Sequence, residues 1–373
     1  MVLKNFFERI ENQYNNTLPF VVYRKPNSTI VKALLQVDAE LHTAETFTEN
    51  GFVFSPFDDE HTSVLIPLNK SEKIEVTFDV ITENQSESTR SETSFEDKLN
   101  HINLIKKGIE AVKNNQFTKV VLSRKETVQL SENNPISIFK RLLNTYPLAF
   151  VYCWYHPKVG LWLGATPETL LKIEGNRFSI MALAGTQDYE GSMEVVWKNK
   201  EINEQQIVTD FIVEHLRPSV ENLKISETET VKAGNLLHLR TMISAQLKAE
   251  VTNLKQLISD LHPTPAVCGF PKAEAKKFIL ENEPYNRDFY TGFLGELNFE
   301  TIIAPKSSKK NIENRAYAVI KKSTQLYVNL RCVQIQENHA HIYIGGGITE
   351  TSNAEAEWEE TVSKSKIIKN ILQ

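Results

Sequence analysis

Cysteine is scarce in this sequence: Cys153, Cys268 and Cys332 are the three present in 373 residues, odd in number and too widely separated for a metal-binding spacing. That usage argues against a disulfide framework and sets the expectation of a reducing, cytoplasmic setting. A secretory start is also lacking, since MVLKNFFERI carries Glu8, and no window reaches 18 uninterrupted apolar residues. Neither export nor a membrane span is therefore expected. An excess of one charge is missing too: 42 basic against 47 acidic residues leave a net charge of −5, so no global field draws the chain to nucleic acid or anionic lipid. GxGxxG, GxxxxGK[ST], HExxH and a Ser-His-Asp order do not occur, which leaves dinucleotide, P-loop, zinc and hydrolase readings without support.

What is present is an ordinary globular balance, 41% apolar, 24% charged and 9% aromatic. The sharpest break in composition is Thr82 to Ser94, TENQSESTRSETS, which has no apolar residue. This stretch, residues 82–94, reads as an exposed connector. Before it, residues 1–81 hold short apolar segments (VVYRK, IVKALLQV, FVFSPF, SVLIPL) that predict a β-rich N-terminal region packed on the main domain. After it, residues 95–373 form the larger domain. It opens with a helix from Phe95 to Gln116, on which Leu99, Ile102, Ile105, Ile109 and Val112 recur at helical spacing before an Asn114-Asn115 stop. FTKVVLSR, AFVYCWY, VGLWLGA and RFSIMALAGT read as strands, Met193 to Leu216 as helix, and Ala304 to Thr324 as a Lys-rich surface loop between two late strands. HIYIGGGIT runs as a strand into three glycines, and a final helix begins near Asn353. The mixture predicts an α+β fold with large, mainly antiparallel sheets.

Candidate chemistry sits at a few places. Glu201 with Glu204, and Glu357 with Glu360, are spaced by three on predicted helices, so each pair shares a face. Such a face is either solvated or a site for a hard cation such as Mg²⁺. Lys119 lies in an apolar strand, where it either snorkels to water or, desolvated, becomes a neutral base. Glu168, beside Pro167 at a strand junction, is a general acid if buried and otherwise a turn residue. LAGT (183–186) and GGGI (345–348) end strands with glycines that let backbone N–H groups approach an anion. Arg331 offers a fork to a carboxylate or forms a structural ion pair. His238 and His262, by residue type alone, read as structural.

In chain order, KVVLSR at Lys119, GATPE at Glu168, ALAGT from Ala182, KEINE ending at Glu204, LLHL with His238, LHPTPAVCGFPK from Leu261, EPYNRDFYTGFLG from Glu283, NLRC with Arg331, IGGGI from Ile344 and EWEETVSK from Glu357 resemble the chorismate-utilising enzymes, most closely the isochorismate synthases. The resemblance covers about three quarters of the chain, roughly Phe95 to Gln373. It implies a mixed α/β chorismate-binding fold of two large packed sheets flanked by helices, and a Mg²⁺-dependent, reversible conversion of chorismate to isochorismate without a redox cofactor. Lys119 would be the base that activates water and Glu168 the acid that protonates the departing hydroxyl. Glu204 and Glu360 would be direct Mg²⁺ ligands, with Glu201 and Glu357 holding metal-bound water. Arg331, Tyr290, Gly345 and Gly346 would hold the enolpyruvyl carboxylate, and Gly185, Thr186, His238, Ala266 and Lys364 would line the rest. The implied partner is the small molecule chorismate, with a monomer as the expected state.

Within the family, ammonia-using members typically carry Gln where this chain has Lys119, and RPIxGT where it has MALAGT, so water is the favoured nucleophile. Salicylate synthases share the lysine, and Tyr290 is compatible with them. Ala266-Val267 is similar to the isochorismate synthases, whereas lyases tend to carry Thr-Ala. One departure stands out: Gln205 follows Glu204 where the family usually has His. An inactive homologue should have lost Lys119, Glu168, Glu204 or Glu360, and all four are present. Menaquinone and catechol siderophore biosynthesis are both open as destinations.

Overall fold

A computed structural model describes residues 1–80, 95–130, 134–248, 253–303 and 319–372. Among them are two sheets whose every pairing is antiparallel. The first runs β15 (Gly269–Phe270), β7 (Lys119–Gln129), β19 (His339–Ile348), β18 (Cys332–Gln336), β9 (Gly160–Thr166), β8 (Phe150–His156), β1 (Phe20–Arg24), β2 (Ile30–Gln36), β6 (Ser71–Thr77). The second runs β12 (Val220–Ile225), β14 (Leu236–Leu247), β11 (Arg177–Asp188), β10 (Thr169–Glu174), β17 (Val319–Val328), β16 (Phe293–Ile303), β4 (Gly51–Ser55), β5 (Ser63–Pro67), β3 (His42–Ala44), with β13 (Glu229–Ala233) paired to β14. Seven described helices surround them: α1 (Leu3–Asn15), α2 (Phe95–Lys113), α3 (Pro135–Thr145), α4 (Asn199–Leu216), α5 (Leu254–Leu261), α6 (Lys272–Asn282) and α7 (Ala354–Leu372). The fold is α+β with two large antiparallel sheets, as the sequence implied.

Strands buried on both faces read as continuous apolar runs, and β8 shows why. Phe150, Tyr152 and Trp154 point into the layer between the sheets with Phe54, Trp162, Tyr327 and Tyr343. The alternate residues Val151 and Cys153 join α1, α3 and α7 on the outer face of the first sheet, as a two-residue period requires. The outer face of the second sheet packs on α4 and α5 through Val208, Phe211, Ile212 and Leu257. Residues 1–80 supply three strands to each sheet and share these cores, with Phe20, Val22 and Val31 in one and Phe52 and Phe54 in another. The expected connector, 82–94, lies outside the described residues.

Two boundaries differ from expectation. The helix predicted from Met193 starts at Asn199, because the Glu201 carboxylate accepts the Lys198 backbone N–H at 3.0 Å and closes the first turn there. Upstream, Trp197 is pinned to Thr230 Oγ1 at 2.9 Å. The C-terminal part of the predicted Lys-rich surface loop is not a loop, since Val319–Thr324 belongs to β17. There Thr324 is buried and Lys321 reaches Glu174 on the neighbouring strand, so Lys321 and Lys322 decorate a strand instead of a loop; residues 304–318 lie outside the described residues. The stop at Asn114-Asn115 has a clear cause: Asn115 takes a left-handed φ of 57°, and the N–H groups of Asn115 and Gln116 bond back to Val112 and Ala111.

Candidate active site

The chain passes from the first sheet to the second between β9 and β10, and back again between β17 and β18. Those two crossings carry Glu168 and Arg331. They are tied together, the Val328 N–H donating to the Glu168 carbonyl at 3.1 Å and the Ala165 N–H to the Arg331 carbonyl at 3.2 Å. Both side chains face a cavity of about 120 Å³ that is also lined by Lys119, Gly185, Thr186, Glu204, His238, Ala266, Tyr290, Gly345, Gly346, Glu360 and Lys364.

Lys119 opens β7 and is 1% exposed. Its Nζ lies 3.8 Å from Glu204 Oε2 on α4. Burial pushes its pKa down, Glu204 and Glu360 oppose this, and Lys200 and Lys364 reinforce it. The register of β19 on β7 lays Gly345 to Gly347 beside Ser123 to Val121. A Cβ on Gly347 would stand 3.1 Å from Lys119 Cε and 3.2 Å from Glu204 Oε2, so any side chain here would crowd the pair, and glycine lets the strand approach it without displacing either group.

Glu168 is 3% exposed. Burial raises its pKa from the ordinary 4.5 to about 8, against the pull of Lys119 and Arg331. At neutral pH it is mostly protonated, while desolvation drives Lys119 towards its neutral form. One apolar setting thus favours a base and an acid in the same cavity.

Arg331 adopts a left-handed φ of 48° and donates to His238 Nε2 at 2.6 Å and to the Ala233 carbonyl at 3.1 Å. His238 Nδ1 in turn donates to the Gly185 carbonyl at 2.8 Å. With Nε2 accepting, the imidazole is neutral, in line with a pKa pushed down by burial and by Arg331 to about 3. Gly185 has φ 71° and sits in a bulge of β11 opposite His238. Tyr290, 2% exposed, stacks on Tyr343 and brings its hydroxyl 2.8 Å from where a Gly345 Cβ would be.

The four acidic residues divide. Glu204 and Glu357 are buried, and Glu204 Oε1 and Glu357 Oε2 have no hydrogen-bond partner. Glu360 is held by Lys364 at 2.6 Å, and Lys364 also donates to the Gly345 carbonyl at 3.0 Å. Glu201 does not join them, because its carboxylate caps α4. Gln205, the departure from the family pattern, turns away from the cavity and donates to the Ala182 carbonyl and Thr241 Oγ1, both at 3.0 Å. It ties α4 to β11 and β14. Sequence reasoning missed Lys200, whose Nζ pairs with Glu357 Oε1 and lies 3.8 Å from Glu204 Oε1; its spacing of four from Glu204 was the available signal.

Residues 40–302 and 317–370 match two family profiles, each described as chorismate binding enzyme. The chain belongs to the chorismate binding enzymes. Isochorismate synthase EntC of Escherichia coli K12 is 28% identical over 268 residues, covering 69% of this chain and 62% of EntC; the match thus spans about three fifths of that relative. In fold, the crystal structure of DhbC from Bacillus anthracis superposes with a TM-score of 0.77 at 23% identity, covering 98% of this chain and 99% of DhbC. MenF, the menaquinone-specific isochorismate synthase of Escherichia coli, gives 0.74 at 20% identity over 96% and 89% of the two chains. Among the described residues of this chorismate binding enzyme no helix is long and apolar enough to cross a membrane.

Proposed function

We propose that this chorismate binding enzyme is an isochorismate synthase, converting chorismate reversibly to isochorismate with Mg²⁺ as cofactor. One observation carries the reading: Lys119 and Glu168 line a single cavity, and burial moves the lysine pKa down and the glutamate pKa up. Neutral Lys119 takes a proton from water as its oxygen bonds to the ring. The ring double bonds shift, and the hydroxyl at the far carbon leaves as water with the proton supplied by Glu168. One water enters and one departs, and solvent returns Lys119 and Glu168 to their starting protonation. Arg331, held by neutral His238, is placed to pair with a substrate carboxylate, and Lys119 in place of Gln supports water over ammonia as nucleophile.

The cation reading has its own support. Two buried carboxylate oxygens without hydrogen-bond partners, Glu204 Oε1 and Glu357 Oε2, are what a hard divalent ion would satisfy. Glu204, Glu357 and Glu360 are the residues to hold it. When bound, it would neutralise a ring carboxylate and the charge that develops as hydroxyl leaves.

The test is to incubate the purified chain with chorismate and Mg²⁺ and to resolve isochorismate, salicylate and anthranilate. Isochorismate approaching an equilibrium with chorismate, with little pyruvate, is expected. Stoichiometric pyruvate would favour salicylate synthesis, and a requirement for ammonium the amino-transferring branch.

A further inference from the structure

Glu204 on α4 and Glu357 on α7 present side chains only 10% and 3% exposed. Two buried carboxylates in one place repel each other unless a positive charge joins them. Lys200 supplies that charge, pairing with Glu357 Oε1 while its Nζ stands 3.8 Å from Glu204 Oε1. The match is incomplete, since Glu204 Oε1 and Glu357 Oε2 remain without hydrogen bonds. Lys200 lies in the first turn of α4 and keeps 23% of its side chain exposed, so rotation about its own side-chain bonds can carry the ammonium into water. Among the described residues, Asp38, Glu40 and His42 form the one group whose ligand atoms all lie within 4.8 Å of one another. Glu204, Glu357 and Glu360 stand further apart, with Lys200 and Lys364 against them.

We infer that Lys200 is an exchangeable occupant of the carboxylate site: it neutralises Glu204 and Glu357 while no divalent cation is bound, and it is displaced to solvent when one binds. This rests on the cation reading above. The cost of displacing the lysine lowers the apparent affinity for the ion by the fraction of time the site is free. In exchange, the metal-free chain keeps two buried carboxylates neutralised and stays folded.

The experiment titrates Mg²⁺ alone into wild type, K200A and K200R by calorimetry, and follows thermal unfolding of each in EDTA and in saturating Mg²⁺. K200A is expected to bind Mg²⁺ about tenfold more tightly, or better, if Lys200 occupies the site about nine-tenths of the time; K200R should stay near wild type. In EDTA, K200A should melt below wild type and recover with Mg²⁺. Should K200A not fold without metal, K200Q purified in Mg²⁺ carries the same comparison. Acylation of Lys200, read by mass spectrometry, separates displacement from mere loss of charge: labelling should rise several-fold when Mg²⁺ is added to wild type. Unchanged or falling labelling, or K200A affinity equal to or weaker than wild type, overturns the inference and leaves the cation reading standing. Absence of Mg²⁺ binding by all variants overturns both.

Discussion

Glu168→Gln should stabilise the protein while disabling it, and the stabilisation should grow with pH. Glu168 is 3% exposed, and its carboxyl has no hydrogen-bond partner among the described residues, so in the folded state only burial and the fields of Lys119 and Arg331 act on it. Its folded pKa, about 8, lies above the ordinary 4.5. The sign follows: below pH 4.5 the group is protonated in both states and burial adds no ionisation cost, and as pH rises from 4.5 to 8 the unfolded chain ionises first and stability is lost. At about 1.4 kcal/mol per pH unit, the loss amounts to about 5 kcal/mol, complete above pH 8. Glutamine fills similar space and cannot ionise. Urea unfolding of wild type and Glu168→Gln at half-unit steps from pH 4.5 to 9 measures the difference directly. It should widen steadily in favour of the variant and level off above pH 8, while turnover of chorismate by the variant falls about a hundredfold or more, the usual worth of a positioned acid. A pH-independent difference, or a variant that loses ground as pH rises, would refute the claim that a buried neutral acid occupies this position.

Lys119→Gln should cost about a hundredfold or more in turnover with chorismate binding, measured by calorimetry, nearly retained. Wild-type turnover should be bell-shaped in pH, with one limb near pH 8 set by Glu168 and the other set by Lys119, whose pKa burial lowers; a limb near pH 8 that survives in Glu168→Gln would assign it to another group. Gly347→Ala forces a methyl to 3.1 Å from Lys119 Cε and 3.2 Å from Glu204 Oε2, so it should destabilise by about 1–3 kcal/mol and lower turnover by displacing both side chains; near-normal rates would show that the pair tolerates movement. Glu204→Gln and Glu360→Gln should abolish turnover with the fold retained by circular dichroism, and full wild-type activity in excess EDTA would remove the cation from the mechanism.

The site residues drew notice by breaking local rules, while each kept a structural reading until the resemblance to the chorismate-utilising enzymes gave them roles. A lysine in TKVVLSR interrupts an apolar strand, a carboxylate in GATPE stands at a junction between two apolar strands, and the glycines of LAGT and GGGI stand where strands need side chains. The paired carboxylates were less legible, because Glu201–Glu204 and Glu357–Glu360 look alike by spacing. Only the structure separates them: Glu201 falls at the third position of a helix, where the orphan N–H of Lys198 claims its carboxylate, while Glu357 is fully packed and paired with Lys200. The start of α4 was misplaced for a related reason. Helical periodicity continues through MEVVW, and the capping interaction that ends it is one hydrogen bond that periodicity does not weigh.

The two sheet crossings explain why an acid and a guanidinium can be placed so firmly on segments that are not regular structure. Gly164, just before the Glu168 crossing, has no room for a Cβ: Tyr152 Cε1 would lie 2.8 Å away, and Arg331 O and Cys332 Cβ 3.1 Å. Backbone thus packs on backbone, and the separation of Glu168 from Arg331 is set by two main-chain hydrogen bonds instead of by flexible side chains. Arg331 then passes the constraint on through His238 to the Gly185 carbonyl at the bulge of β11. Burial acts alike on every group there, penalising charge. It lowers the lysine, the arginine and the histidine and raises the glutamate. That single effect moves Lys119 and Glu168 in opposite directions, the lysine towards its neutral form and the glutamate towards its protonated one, which is the bias that the proposed base and acid roles require.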